Sequence, residues 1–201
     1  AMGRGVLKMS DWIRQVAYTG PQDPELEEKI FHREEVLDKI QQEIVTFLTE
    51  ALDATVPMAI AAEGRQQFRL AHEYESVADR LASILRGIRK LRDKSLLLTP
   101  GQQEGLLRIH DQVVAFLSDV TDAYAARKPM DDTEARSAHA AVTRTLKELR
   151  GKHLQQMTEE SVPPDLSLIY TGILTDYRRI RAHVLNIHEA MLEVEQAAQA
   201  G

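Results

Sequence analysis

Glu75 and Asp79 stand four residues apart, in the order Glu-x-x-x-Asp. On a helix this spacing places two carboxylates on one face, one turn apart, where both can reach the same cation. Glu34 and Asp38 carry the same spacing earlier in the chain. If the two segments lie side by side, four carboxylates present hard oxygen donors to a hard or borderline cation. His72, three residues before Glu75, adds a nitrogen to the same neighbourhood. Such pairs also arise by chance as solvated surface in a chain with 28% charged residues, so the plain reading stands beside the metal reading.

Other chemistries find less support. A ferritin-like di-iron centre asks for an acid three residues before a histidine on two helices. The residues in that position are Lys29, Arg69, Leu107, Arg136, Arg150, Ile180 and Leu185, none of them acidic. There is no glycine-rich phosphate loop, no HExxH and no Gly-x-Ser-x-Gly elbow. Ser76 and Ser83 near His72 make no triad, because a nucleophile and its base need a third, orienting group and an oxyanion site. The chain reads as a non-enzyme.

The elements that must position the carboxylates are helices. Leu70 to Leu91 and Ile173 to Val194 repeat one pattern 103 residues apart. Tyr74, Val77, Leu81, Ile84, Ile88 and Leu91 fall on Tyr177, Ile180, Val184, Ile187, Met191 and Val194. The alternating three- and four-residue spacing keeps one apolar seam of each helix against a neighbour. Glu75 and Asp79 lie about 90° or more from that seam, so they face solvent or a flanking helix. In the second copy their positions hold Arg178 and Ala182. The scaffold is duplicated and the carboxylate pair is not.

Breakers set the helix limits. Gly20-Pro21-Gln22-Asp23-Pro24 ends a short helix carrying Val6, Trp12, Ile13 and Val16. A second helix is predicted from about Pro24, a helix-starting proline, to Ala54, with the stripe Ile30, Leu37, Ile40, Ile44, Phe47, Leu48 and Leu52. Thr55-Val56-Pro57 turns into a third, Met58 to Asp93, roughly 50 Å long at 1.5 Å per residue. Thr99-Pro100 opens a fourth, to about Arg127; Asp131-Asp132-Thr133-Glu134 opens a fifth, with acids at the positive end of the helix dipole. After Ser161-Val162-Pro163-Pro164 a sixth runs from Asp165 to about Ala198. EIVTFL (Glu43 to Leu48) and QVVAFL (Gln112 to Leu117) share a further local likeness. No segment shows the period-two alternation of strands. The expectation is an all-α bundle of long antiparallel helices, two three-helix units spanning 1–98 and 99–201 and together making one domain.

Composition bounds the function. Cysteine is absent, which excludes disulfides, thiolate metal sites and cysteine nucleophiles and fits a reducing cytosol. A net charge of −6 argues against general nucleic-acid binding. Arg86, Arg89, Lys90, Arg92 and Lys94 form one basic cluster, and Arg144, Lys147, Arg150 and Lys152 another. These read as solvated helix faces near C-terminal dipole ends. No run reaches the 18 or more apolar residues of a membrane span, and no signal peptide is visible.

At these segments the sequence resembles the PhoU family, and more closely the cytoplasmic PhoU-like domain of bacterial Na⁺/phosphate cotransporter family proteins. The family carries an acid-x-x-x-Asp signature in the last helix of each three-helix repeat. Glu75-Ser-Val-Ala-Asp79 matches it in acid positions. The second phrase, Asp176-Tyr-Arg-Arg-Ile-Arg-Ala-His183-Val-Leu-Asn-Ile187, is similar to that of the transporter-linked branch, as are Leu146 to Met157 (LKELRGKHLQQM) and Leu166-Ser-Leu-Ile-Tyr170. The likeness covers about residues 28 to 195.

The resemblance implies a cytoplasmic regulator of phosphate transport and homeostasis acting by protein–protein contact. Its partner would be a membrane phosphate transporter, in cis or in trans. Family members with both signatures intact can hold iron or zinc clusters. Here only Glu75 and Asp79 carry over, so a single iron or zinc site is the most the resemblance implies. A homodimer is reasonable for long helices with spare apolar positions. Two other readings stay open: a metal-binding bundle using Glu75, Asp79, Glu34 and Asp38, and a plain helical oligomerisation module.

Overall fold

The structure is a computed structural model describing residues 1–52, 57–159 and 161–199, the side chains of residues 52, 58, 59 and 194–199 excepted. The described residues form six α-helices and no strand: α1 (Met2–Ile13), α2 (Pro24–Leu52), α3 (Met58–Asp93), α4 (Pro100–Ala125), α5 (Asp132–Glu159) and α6 (Pro164–Gln199). These limits follow the breakers closely. Pro24, Pro100 and Pro164 each open a helix, where a missing N–H costs nothing. Thr99 completes a capping box with Gln102. Asp131 caps α5 by accepting from the Thr133 and Glu134 amides at 2.8 and 3.2 Å.

Sequence periodicity did not show how the first helix ends. Arg14–Thr19 continues α1 as a π-helix, its last turn closed by the Gly20 amide donating to the Gln15 carbonyl at 2.7 Å. Arg14 ties this segment to α4 through a two-pronged bond to Asp111, at 2.7 and 3.1 Å.

α3 and α6 form the most extensive helix pair, and they run antiparallel: Gln66 meets Ala190, Arg80 meets Asp176 and Lys94 meets Asp165. Gly87 lets the two helices approach, since a Cβ there would stand 3.1 Å from Ile173. α1 and α2 pack around α3, α4 and α5 around α6, and α1 also touches α4, so one continuous apolar core joins all six helices. The repeat seam is the centre of that core. Tyr74, Val77, Leu81, Ile84, Ile88 and Leu91 are buried, as are Tyr177, Ile180, Val184, Ile187 and Met191. The side chain of Val194 lies outside the described residues, as do that of Leu52, the predicted end at Ala54 and the turn residues Thr55 and Val56.

One predicted stripe departs from the seam's behaviour. Ile30 and Leu37 of α2 are buried and Ile40, Ile44 and Leu48 are half-buried, but Phe47 is 68% exposed. The far end of α2 outruns the core that seats its first half. The basic cluster of α3 is likewise no plain solvated face. Arg89 and Arg92 grip the buried Glu27 of α2, Arg86 reaches Glu34, and Lys94 reaches Asp165 of α6.

Candidate functional site

The carboxylates named from sequence sit where α2 lies alongside α3. Glu75 and Asp79 are both half-buried, on the flank of α3 that faces α2. Burial pushes the Glu75 carboxyl above its ordinary range, and the negative charges of Asp79 and Asp38 push it further. The hairpin therefore brings Asp38 of α2, along with Asp79, within electrostatic reach of Glu75. Glu34 is engaged elsewhere, by the Arg86 guanidinium at 3.4 Å. Asp38 accepts from the Gln42 amide at 3.0 and 3.1 Å. His72 is exposed on the same helix.

Asp79 is already paired with a cation. It forms an ion pair with Arg80, and the same guanidinium reaches across to Asp176 of α6 at 3.5 Å. Among the described residues no group of three or more His, Cys, Asp or Glu side chains is close enough to hold a metal ion. The donor set is chemically suited to a hard cation, all carboxylate oxygen. Binding one requires Arg80 to leave Asp79 and the Asp38 and Glu75 side chains to converge. In the second copy Arg178 is exposed, and no acid takes the place of Glu75 there.

Two acids, one before each seam tyrosine, have partners that the sequence reading did not assign: Glu73, which it did not single out, and Asp176, which it quoted only as the start of the second phrase. Glu73, buried in α3, accepts from His183 Nδ1–H at 2.7 Å and from the Asn186 amide at 3.1 Å, both on α6. Burial alone would raise this carboxyl, but the two α6 donors outweigh it and hold Glu73 below the ordinary carboxylate range. Asp176, buried in α6, accepts from Ser83 Oγ–H at 2.8 Å and from Arg80, both on α3. The repeat itself held the signal: Glu73 precedes Tyr74 as Asp176 precedes Tyr177.

A third buried network surrounds Tyr177. His110 Nε2 lies 3.1 Å from the Ser10 carbonyl, which only accepts, so Nε2 carries the proton. Nδ1 then accepts from the Tyr177 hydroxyl at 2.9 Å, and the Tyr177 oxygen accepts from Tyr18 at 2.7 Å. Burial drives His110 down to about 4 and raises Tyr18 and Tyr177 well above the ordinary phenol range. The chain of donors runs from the π-helical segment through α6 to α4 and back to α1. Nothing in the local sequence marks Tyr18 or His110 as partners.

This six-helix architecture has counterparts among solved structures. PhoU from Pseudomonas aeruginosa superposes with a TM-score of 0.85 at 17% identity, covering 98% of this chain and 93% of that one.

The chain has the PhoU fold.

The phosphate transport system regulatory protein PhoU from Streptococcus pneumoniae superposes with a TM-score of 0.77 at 16% identity, covering 98% of this chain and 90% of that one. Sequence comparison gives no matching family model and no matching curated protein. At these identities the agreement is one of PhoU architecture, held over nearly the full length of both partners. Among the described residues no helix is long and apolar enough to cross a membrane.

Proposed function

We propose that the chain regulates phosphate transport as a non-enzymatic, cytoplasmic PhoU-like module, acting by contact with a membrane phosphate transporter. One observation carries this reading: the PhoU architecture extends over 98% of the chain, and one of the superposing structures is a phosphate transport system regulatory protein. The sequence phrases at Asp176–Ile187 and Leu146–Met157 favour a Na⁺/phosphate symporter as the transporter, with the chain as its cytoplasmic part or as a separate homologue. Fold alone carries no function, so the test is on the partner. The tagged chain, expressed in cells grown at high and at low phosphate, is expected to retain a phosphate transporter on purification. Recovery of no transporter under either condition, with the chain folded and abundant, rules the reading out.

A second reading rests on the electrostatic coupling of Glu75, Asp79 and Asp38. Here the same flank of α2 and α3 takes one iron or zinc ion, with Glu34 as a fourth acid if Arg86 lets it go. Metal held stoichiometrically by the wild-type chain and lost in a Glu75→Ala/Asp79→Ala variant is the expected result. An equal, substoichiometric content in both proteins would leave the carboxylates a structural role only.

A further inference from the structure

Of the second basic cluster, only Lys152 has an acid to pair with. α5 and α6 run antiparallel: His188 meets Asp132, Glu189 meets Arg136, and Arg181 donates to the Thr143 hydroxyl. One flank of α5 carries Thr143, Lys147, Arg150, Leu154 and Met157, at steps of three and four residues. Because Thr143 lies against Arg181, that flank borders α6, and the register sets Lys147 and Arg150 level with Arg178. Arg144 and Arg179 widen the same side on the exposed faces of the two helices. From Arg144 to Met157 the surface runs about 20 Å, at 1.5 Å per residue.

Residues 143–158 and 167–182 hold two acids, Glu148 and Asp176, and both are engaged elsewhere. Glu148 is held by Arg108 of α4 and by Lys152, at 3.0 and 2.8 Å. Asp176 is buried on the α3 side, under Ser83 and Arg80. Among the described residues Arg144, Lys147, Arg150, Arg178 and Arg179 are exposed and make neither an ion pair nor a side-chain hydrogen bond. Arg181 is half-buried; burial lowers its pKa and the charge of Arg178 lowers it further, with no carboxylate to offset either. Six cations thus stand unopposed on one side of a chain whose net charge is −6.

Toward the α5–α6 turn the same side becomes apolar. Leu154 and Met157 of α5 and Leu168 of α6 are 54%, 47% and 74% exposed, and the register sets Met157 level with Leu168. The occupant must therefore be anionic and offer apolar depth beside its charge. A protein partner is recognised through aromatic and arginine anchors seated in pockets. Here the aromatic rings, His153, Tyr170 and Tyr177, are all buried, and the exposed cations stand on stems that no bond orients. Diffuse cations beside exposed apolar side chains match an anionic bilayer instead, whose headgroups spread the charge and whose acyl boundary accepts the leucines.

We propose that the α5–α6 side docks on an anionic bilayer surface, with Lys147, Arg150 and Arg178 at the headgroups and Leu154, Met157 and Leu168 entering the interface. The rest of the chain is net acidic and is repelled by the same surface, which fixes the side presented. This contact uses none of the carboxylates of α2 and α3 and needs no transporter, so it stands or falls apart from the regulatory reading.

The test titrates the full chain with vesicles of phosphatidylcholine alone, with vesicles containing about one third phosphatidylglycerol, and with poly-glutamate. Vesicle binding is read by co-sedimentation and peptide binding by calorimetry. The expected result is saturable binding to the phosphatidylglycerol vesicles that phosphatidylcholine does not support and that added salt weakens. Each cation near such a surface contributes about fivefold in affinity, so Lys147→Gln/Arg150→Gln/Arg178→Gln should bind about 100-fold more weakly. Lys29→Gln/Lys39→Gln/Lys128→Gln removes the same charge from other exposed positions and should stay within about twofold of the wild type. Leu154→Gln/Met157→Gln/Leu168→Gln should lose at least about fivefold. All these positions are exposed, and thermal unfolding checks that each variant keeps its fold. Equal binding to both vesicles or to neither overturns the proposal. So does an α5–α6 variant that titrates like the wild type, or a control variant that weakens as far as the α5–α6 charge variant. Binding of poly-glutamate without vesicle binding also overturns it and gives this side to an acidic protein segment.

Discussion

Glu73 and Asp176 occupy the same position in the two copies of the repeat, 103 residues apart, and each is held by the other copy's helix. The donors correspond as well. His183 and Asn186, which hold Glu73, fall on Arg80 and Ser83, which hold Asp176. Antiparallel α3 and α6 thus clasp each other twice, on either side of the buried pair Val77 and Ile180. Both acids are nearly inaccessible, and a buried acceptor that loses its charge leaves its donors unmatched. Glu73→Gln and Asp176→Asn are each expected to cost about 1–3 kcal/mol in urea unfolding. Glu73 and His183 share a bond and should couple by about 0.5 kcal/mol or more in a double-mutant cycle; Glu73 and Asp176 share no partner and should add. Strong coupling between the two acids would show that the clasps are not independent.

His110 sets the response to mild acid. Its folded-state value of about 4 lies below the ordinary value of ~6.5 that it recovers on unfolding. Between those limits the unfolded chain binds the extra proton and the folded chain does not, so stability falls as pH falls from ~6.5 toward 4. The slope is up to about 1.4 kcal/mol per pH unit from this one group. Glu73, with its carboxyl depressed, contributes stability that is fully present above the ordinary carboxylate range and is lost only below it, so its loss falls in a more acid window. Unfolding free energies at pH 7 and pH 5 are expected to differ less in His110→Gln than in the wild type. Tyr18→Phe, which leaves the His110 bonds to Tyr177 and Ser10 in place, should keep the wild-type difference. An unchanged pH dependence in His110→Gln would place the acid sensitivity elsewhere, with His139 and His153, both also lowered by burial, the next groups to test.

Helix limits and the central seam were legible because their causes are local. Prolines at helix starts, the Thr99 cap and a repeated apolar spacing depend on residues close in sequence. The i,i+4 acid pairs were legible for the same reason, and the α2–α3 turn was enough to expect Asp38 near Glu75. The clasps were not read, because Glu73 and His183 lie 110 residues apart and become partners only through the register of α3 against α6. Arg80 was missed in a different way. Next to Asp79 in sequence it looks like one more surface charge, and only its reach to Asp176 makes it a bridge between the halves. The π-helical turn at Arg14–Thr19 keeps helical residue types while changing the phase, so periodicity passes over it.

Arg80 makes a prediction about the carboxylates. It acts as a tethered cation on Asp79, and a divalent metal at Glu75 and Asp79 must displace it. In Arg80→Gln the local negative charge is no longer offset, so affinity for Mn²⁺ or Zn²⁺ measured by calorimetry should rise by about tenfold. Losing the bridge to Asp176 should also lower stability by about 1 kcal/mol in the absence of metal. Equal affinity in the two proteins would mean that Arg80 does not compete with a cation there. Weaker binding in the variant would mean that Arg80 orders the acids instead of blocking them.

Phe47 and Phe116 sit in matching phrases, EIVTFL on α2 and QVVAFL on α4, and the fold treats them oppositely. Phe116 is 2% exposed and Phe47 is 68% exposed. The phrases do not share a place in the repeat, since α4 lies against α1, α5 and α6 while this end of α2 projects past the core. Truncating a buried phenylalanine removes its transfer energy and leaves a cavity, so Phe116→Ala should cost about 3–5 kcal/mol. Phe47→Ser should stay within about 0.5 kcal/mol of the wild type, as surface changes do. Ile60 and Phe68, at the start of α3, are also exposed, so apolar surface gathers on this hairpin beyond what the core uses. If a second copy of the chain covers it, light scattering across a concentration series will show a dimer that Phe47→Ser weakens with no change in monomer stability. A Phe47→Ser protein that unfolds several kcal/mol earlier at every concentration would instead place Phe47 inside the folding core, and the overhang of α2 would be wrong.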